Sequence, residues 1–226
     1  MVGAVSPAGG DFSEPVTQNS LRVAGCFWAL DTTLARQRHF PSINWTRSYS
    51  GYRLDTWFDD HVTSQWSQLR GWALATLAEE GSLQEVASLL GIEALAPPQR
   101  VTLRVGRSLR EDFLQQSSFD DLDATCLPVK QVAMLATIHT AERAMRAALS
   151  AGMSVSAVVE DLALSQLGGM RRWPNDETAR ERGQETAQTI SAALGVTDAI
   201  DPAPLSAQPA TDDPNSATSA TPQERP

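Results

Sequence analysis

Between residues 55 and 194, apolar side chains recur every three or four positions. That spacing gives a helix one apolar face, so most of this chain must fold as helices packed on one another. Val62, Trp66, Leu69, Ala73 and Leu77 form one stripe. Ser82 to Leu90 forms a second, and Gly91 closes it, since glycine readily takes the left-handed turn that ends a helix. Pro97-Pro98 opens a third, with Val101, Val105, Leu109 and Phe113 on one face. A fourth is expected from about Val129 to Ala151, with Met134, Ile138, Ala141, Met145 and Leu149 inward. Ser154 and Ser156 cap a short fifth. Glu177 to Leu194 is a weakly apolar sixth, ended by Gly195. No internal repeat is present.

Residues 1–54 have a different character, that of α/β material. Val2 to Ser6 reads as a short strand, and Pro7 to Asp11 as a loop in which Gly9-Gly10 permits positive φ. Leu21 to Leu30 is continuously apolar at its centre, as a strand buried on both faces would be. Asp31 is placed to cap a short helix through Arg38. His39-Phe40-Pro41 ends it, because the residue before proline avoids helical geometry. Two strands and one short helix cannot close a core, so they require sheet partners from elsewhere. The chain thus reads as a fragment or as the end of a larger reading frame. Residues 196–226 are rich in Pro, Ala, Thr, Ser and Asp and contain no aromatic residue, the composition of a disordered tail.

Composition removes several function classes. The formal charge is −9, from 27 acids against 18 bases, which opposes general nucleic-acid binding. The longest apolar run, Val23 to Leu30, is far too short to span a bilayer, and Met1 to Val5 does not resemble a secretory signal. Cys26 and Cys126 cannot build a disulfide framework, so a reducing compartment is expected. His39, His61 and His139 lack zinc-site spacing, and no Gly-x-Ser-x-Gly elbow occurs. Asp59-Asp60 and Asp120-Asp121-Leu122-Asp123 lack a calcium-loop pattern and read as helix caps. Trp57, Trp66 and Trp72 read as core. Lys130 is the single lysine and does not follow a glycine, so the residues present contain no P-loop.

Six blocks carry a resemblance. Gly9-Gly10-Asp11-Phe12-Ser13-Glu14-Pro15-Val16-Thr17 is followed by Cys26-Phe27-Trp28-Ala29-Leu30-Asp31, Arg38-His39-Phe40-Pro41-Ser42-Ile43-Asn44-Trp45 and Arg47-Ser48-Tyr49-Ser50. Ser82-Leu83-Gln84-Glu85-Val86 and Arg110-Glu111-Asp112-Phe113-Leu114-Gln115-Gln116 come later, in order. Over roughly residues 1 to 195 the chain resembles the C-terminal part of the catalytic A-subunit family of V/A-type rotary ATPases. The resemblance implies a mainly α chain in three parts. These are the last strands of a RecA-like nucleotide-binding domain (1–54), a helical bundle (55–195) and the tail (196–226). The family's β-barrel, bulge domain, Walker lysine, magnesium-binding strand and water-orienting glutamate are not among these residues. Catalysis by the chain on its own is therefore not expected.

The resemblance also assigns sites. Phe40, before Pro41, occupies the place of an aromatic that stacks on adenine in related F-type subunits, and Phe119 that of the aromatic closing the other side. Each has a plainer reading, as a core or helix-end phenylalanine. Gln115 and Gln116 are candidates for the base edge or ribose, or else solvated amides. Ser13 and Glu14 match a loop that faces the central rotor, or form an ordinary turn. Ile92 to Arg100 matches the hairpin tip that touches the rotating stalk, with Glu93 its one acid and Pro97-Pro98 stiffening it. Arg100, Arg104, Arg107 and Arg110 recur at helical spacing and read as a solvated face or an intersubunit salt-bridge row, while Arg36, Arg38 and Arg47 surround Phe40. The implied ligands are ATP or ADP with Mg2+. The implied partners are a B subunit in an alternating hexamer and the central-stalk rotor, at the cytoplasmic face of the plasma membrane without insertion into it. The implied activity couples ATP synthesis or hydrolysis to proton or sodium movement. A stand-alone helical interaction module is the other reading; the orphan strands of the first block argue against it.

Overall fold

The computed structural model describes residues 2–196. The expected tail lies outside the described residues except for Val196, which packs against the margin of the core.

The first block is less sheet-like than its sequence suggests. Val2 to Ser6 forms no strand. Gly9 and Gly10 do take positive φ, 64° and 74°. The expected strand Leu21–Leu30 is divided: α1 (Pro15–Val23) is a helix opened by Pro15, and only β1 (Cys26–Phe27) is strand. β1 pairs antiparallel with β2 (Tyr49–Ser50), Cys26 opposite Ser50 and Phe27 opposite Tyr49. The correction has a physical cause. A strand buried on both faces needs neighbours on both sides, and among the described residues β1 has one. Val23 and Leu30 are accordingly 86% and 77% exposed. Between the two strands, α2 (Thr32–Arg36) is capped as its sequence predicts. Asp31 Oδ1 accepts from the backbone N–H groups of Thr33 at 2.7 Å and Leu34 at 3.3 Å.

The bundle begins with α3 (Leu54–His61), which the apolar spacing did not announce. α4 (Trp66–Leu90) is a single helix of 25 residues where two were expected. Gly81 lowers helix propensity by only about 1 kcal/mol, too little to break a helix held by packing on both sides of it. The true stop is Gly91, at φ 85°. α5 (Pro97–Ser108) returns antiparallel in sequence order, and Gln99 Oε1 accepts from the Ala96 N–H at 2.9 Å to satisfy its first turn. One wide π turn, Leu109–Leu114, extends it. Val101, Val105 and Leu109 are fully buried, each contributing about 1.5–3 kcal/mol of burial free energy.

α6 (Pro128–Ser150) runs through the centre and is buried around most of its circumference. α7 (Val155–Val159) is capped by Ser154 Oγ, and a 3-10 stretch, Leu162–Arg172, leads to α8 (Thr178–Ala193). α8 is weakly apolar, yet it packs along α6 more extensively than any other element does. Small residues allow it: a Cβ added at Gly183 would come 2.9 Å from Thr137 Oγ1. Trp66 and Trp72 border the core as expected, but Trp57 lies outside it, stacked on His61 with centroids 5.1 Å apart.

Candidate functional site

The site is assembled where the turn after α2 meets the end of α5. Asp31 organises the turn from below. Its own N–H donates to the Ser42 carbonyl at 2.9 Å, and its Oδ2 accepts from Asn44 Nδ2 at 2.9 Å. The Asn44 amide, with the capped N–H groups of α2, holds the Asp31 carboxyl below its ordinary range. The chain then reverses through Arg38, a non-glycine residue at φ 58°. His39 is buried and Phe40 is 52% exposed, and the Phe40–Pro41 peptide is cis. Phe40 is thus an open aromatic face on an anchored turn, not a core residue.

The bundle supplies the anchors. His39 Nε2 donates to the Arg110 carbonyl at 2.8 Å, and its ring lies 5.8 Å from that of Trp45. The Gln116 N–H donates to the Phe40 carbonyl at 2.7 Å, and Gln115 Nε2 to that of Arg38 at 3.4 Å. The structure therefore brings Phe40, Gln115 and Gln116 together. The two amide side chains are already engaged, Gln116 Nε2 reaching the Asp123 carbonyl at 3.5 Å, so they tie the segment down.

Beyond Gln116 the chain folds into turns. Asp123 Oδ2 accepts from the Ser117 N–H at 2.7 Å, and Asp120 Oδ1 from the Leu122 N–H at 3.0 Å. Asp120 and Asp123 thus cap turns, not the helices their sequence suggested, because no helix forms between residues 115 and 127, and they face Arg172 and Arg171 at 3.3 and 4.0 Å. Phe119 stands among these turns, three residues past Gln116, with its side chain 99% exposed. Phe119 and Phe40 are thus two apolar rings left wholly and half in water, on segments joined through Gln115 and Gln116.

The arginine row is solvated at Arg107, and its other members are part-buried in polar contacts within the chain. Arg110 lies on buried Glu80, Arg107 pairs with Glu111 at 2.9 Å, and Arg100 pairs with Glu93 at 2.9 Å. Arg104 donates to Ser108 Oγ and the Leu164 carbonyl. Burial pulls the Arg104 guanidinium down and pushes the nearby Asp112 carboxyl up. Arg36 and Arg38 are exposed on the chain that leads into the Phe40 turn, whereas Arg47 lines a cleft with Asp11, Phe12, Phe27 and Tyr49.

The two groups of expected rotor contacts occupy different parts of the molecule. Ser13 donates twice to Asp11 Oδ1, at 2.8 Å from N–H and 2.6 Å from Oγ, and these bonds hold the Asp11 carboxyl below its ordinary range. Glu14 accepts from Thr17 Oγ1 at 3.4 Å. Glu93, Pro97 and Pro98 belong to the α4–α5 tip, and no hydrogen bond or ion pair among the described residues joins them to Ser13 or Glu14. Leu89, Leu90 and Ile92 are exposed at the tip, an apolar surface that the helical spacing does not flag.

Sequence reasoning also missed His39 and Glu80, and it read Arg110 only as one of the arginine row. Glu80 and Arg110 are 30 positions apart and His39 and Arg110 are 71 apart, so no local pattern flags them. Among the described residues, no group of three or more His, Cys, Asp or Glu is placed to hold a metal. No described helix is long and apolar enough to cross a membrane.

Comparison with known proteins agrees with this architecture. Residues 1–50 match the nucleotide-binding domain of the ATP synthase alpha/beta family, and residues 55–156 match the C-terminal domain of V and A type ATP synthase. Three relatives are A subunits of A-type ATP synthases. The chain is 49% identical over 179 residues to the one from Methanosphaera stadtmanae, covering 78% of this chain and 31% of that protein. It is 46% identical over 183 residues to the one from Halobacterium salinarum, covering 80% and 31%. It is 46% identical over 193 residues to the one from Methanopyrus kandleri, covering 84% and 32%. The chain spans about a third of the length of these curated relatives.

Proposed function

Since this chain belongs to the A subunits of the V/A-type ATP synthases, as their C-terminal part, we propose that it supplies the base-binding side of an ATP site and the helical lever joined to that site. The activity of the whole subunit would be ATP synthesis or hydrolysis coupled to proton or sodium movement. In this reading Phe40 and Phe119 hold the purine between them. The single observation that carries it is the anchored, half-open Phe40 turn, tied through Gln115 and Gln116 to the segment that bears the fully exposed Phe119. A flat apolar ring on a turn already fixed by hydrogen bonds binds a base face with little further loss of entropy.

Among the described residues, no lysine is free to hold the phosphate end of the ligand. Lys130 is 1% exposed, and its Nζ donates to the carbonyls of Leu122 and Arg171 at 2.7 and 2.6 Å, so the one lysine is a structural strut. The described residues do not fit Mg2+ either, and we assign no step to that ion. Phosphate and metal would be held by other parts of the full-length protein, and by an arginine from a neighbouring B subunit in an alternating hexamer. By itself the chain is then inactive. The α4–α5 tip, with Glu93, Pro97 and Pro98, is the surface offered to the central rotor, with Ser13 and Glu14 a second contact. Glu93 is neutralised by Arg100 and flanked by Leu90 and Ile92, so contact there works by shape and apolar burial more than by charge. The full-length protein would sit peripherally at the cytoplasmic face of the plasma membrane.

The test is nucleotide affinity in the full-length protein. Phe40→Ala and Phe119→Ala should each weaken ATP binding; unchanged affinity in both removes the base-site assignment.

A further inference from the structure

The Phe40 turn and the α4–α5 hairpin meet at one residue. Arg110 lies in the π turn that ends α5, and wide turns of this kind recur at functional sites. Its carbonyl oxygen accepts twice, from His39 Nε2–H at 2.8 Å and from the Gln115 N–H at 3.0 Å. Its side chain points to the other element: Nε and Nη2 both donate to Glu80 Oε1, at 3.1 and 2.8 Å. Glu80 is a buried residue of α4, and Gln84 Nε2 donates to the same oxygen. Gly106 provides the space, because a Cβ there would overlap the Glu80 side chain.

Arg110 therefore grips α4 with its side chain and both aromatic-bearing segments with its main chain. His39 immediately precedes Phe40, and Gln115 leads to Phe119. The grip on His39 is specific. The ring is buried, and Nδ1 has no partner among the described residues, so the bond to Arg110 is the one polar tie that sets its orientation.

We propose, resting on the base-site reading above, that Arg110 is a positioning residue through which the tilt of α4 against α5 sets the opening between Phe40 and Phe119. Displacement of α4 carries Glu80. Two donors on one oxygen make the guanidinium follow, and the Arg110 carbonyl takes His39 and Gln115 with it. The coupling is reciprocal: a base seated on Phe40 restrains α4, and a restrained α4 favours the base.

The experiment uses the full-length polypeptide assembled with its partner subunits and Mg-ADP as the probe. Hydrogen exchange over residues 81–100 is compared with and without nucleotide, alongside the dissociation constant and the melting temperature. Unmodified protein should show a nucleotide-dependent change in exchange over this hairpin. His39→Phe keeps the ring volume and removes the donor. The dissociation constant for Mg-ADP should rise about fivefold or more, and the exchange change should vanish even at saturating Mg-ADP. His39→Gln, which retains a donor, should restore part of both. Glu80→Gln, broken at the other end, should reproduce the loss; if it fails to fold, the His39 pair still decides. A purely structural His39 would lower the melting temperature and leave nucleotide-dependent exchange intact, which overturns the proposal. So does unmodified protein that shows no nucleotide-dependent exchange in the hairpin. If Phe40→Ala does not weaken binding, the base site itself is wrong. If Phe40→Ala weakens binding while His39→Phe behaves as unmodified protein, only the coupling is.

Discussion

Trp72 Nε1 donates to Glu142 Oε2 at 2.6 Å, crossing from α4 to α6 inside the bundle. The other oxygen of Glu142 binds Arg146 at 2.6 Å, and Arg146 Nη2 reaches Thr102 Oγ1 on α5 at 3.2 Å. One carboxylate thus fastens three helices, and the exposed arginine end leaves its charge compensated without full burial. Trp72→Phe keeps most of the ring and removes the donor. Loss of a hydrogen bond to a charged acceptor should cost about 1.5–3 kcal/mol, read as a lower urea midpoint with an unchanged m value.

Two glycines of the α4–α5 hairpin should respond oppositely to the same change. Gly81, in α4, has open space where a Cβ would stand, so Gly81→Ala should stabilise by about 0.4–1 kcal/mol through reduced freedom of the unfolded chain. Gly106, in α5, lies against Glu80, and Gly106→Ala should destabilise by about 1–3 kcal/mol. Thermal melts of the two single variants check both signs.

Stability should fall on mild acidification because of His139. Burial, the first cause, pulls its imidazole below the ordinary 6.5; Glu142 opposes this and Arg143 reinforces it. The Trp72 ring covers it, with centroids 4.7 Å apart. The folded state therefore binds a proton less readily than the unfolded state. Its contribution to stability is full above 6.5, shrinks as pH falls below that value, and levels off below the folded value. His139→Phe should flatten this part of a curve of stability against pH.

Asp112 works in the other direction at lower pH. Burial pushes its carboxyl above 3.8, with Glu111 adding to the rise and Ser108, Arg104 and Arg171 opposing it. Stability tied to the protonated acid is present below 3.8 and is lost as pH rises through the folded value. Asp112→Asn should remove this loss, making the difference between variant and unmodified protein grow as pH rises from 3.8.

Base stacking predicts a chemical preference. In the full-length protein, Phe40→Ala and Phe119→Ala should each cost about 1–3 kcal/mol in ATP binding, roughly 5- to 150-fold in dissociation constant. Phe40→Trp and Phe119→Trp should retain affinity, and both alanine variants should discriminate less between purine and pyrimidine nucleotides. Competition binding with ATP and CTP measures this.

Lys130 should be chemically silent in the folded chain. It is the single lysine, its amine is fully buried on two carbonyls, and burial pulls its titration below 10.5. An amine-acylating reagent should modify Lys130 only after denaturation. Native-state modification, found by peptide mass spectrometry, would contradict the buried strut.

The apolar spacing of residues 55–194 determined that this protein is a helical bundle, and most helix ends were legible too. Asp31, Ser154, Pro97 and Gly91 act on their own neighbours, so caps and stops are written locally. Local rules misjudged elements whose fate depends on distant packing: Leu21 to Leu30, which among the described residues lacks the sheet neighbours a buried strand needs, and α4, which runs through Gly81 because Glu80 and Leu83 are buried on either side of it. The resemblance drew attention to Phe40 and Phe119, but their exposure could not be read from it. Nor could the bond from His39 to Arg110, 71 positions away, or the Glu80 carboxylate beneath it. Helix propensity and capping are decided within about one turn of chain. Which side chain meets which carbonyl across the molecule is decided by how the finished helices pack, and that only the tertiary structure contains.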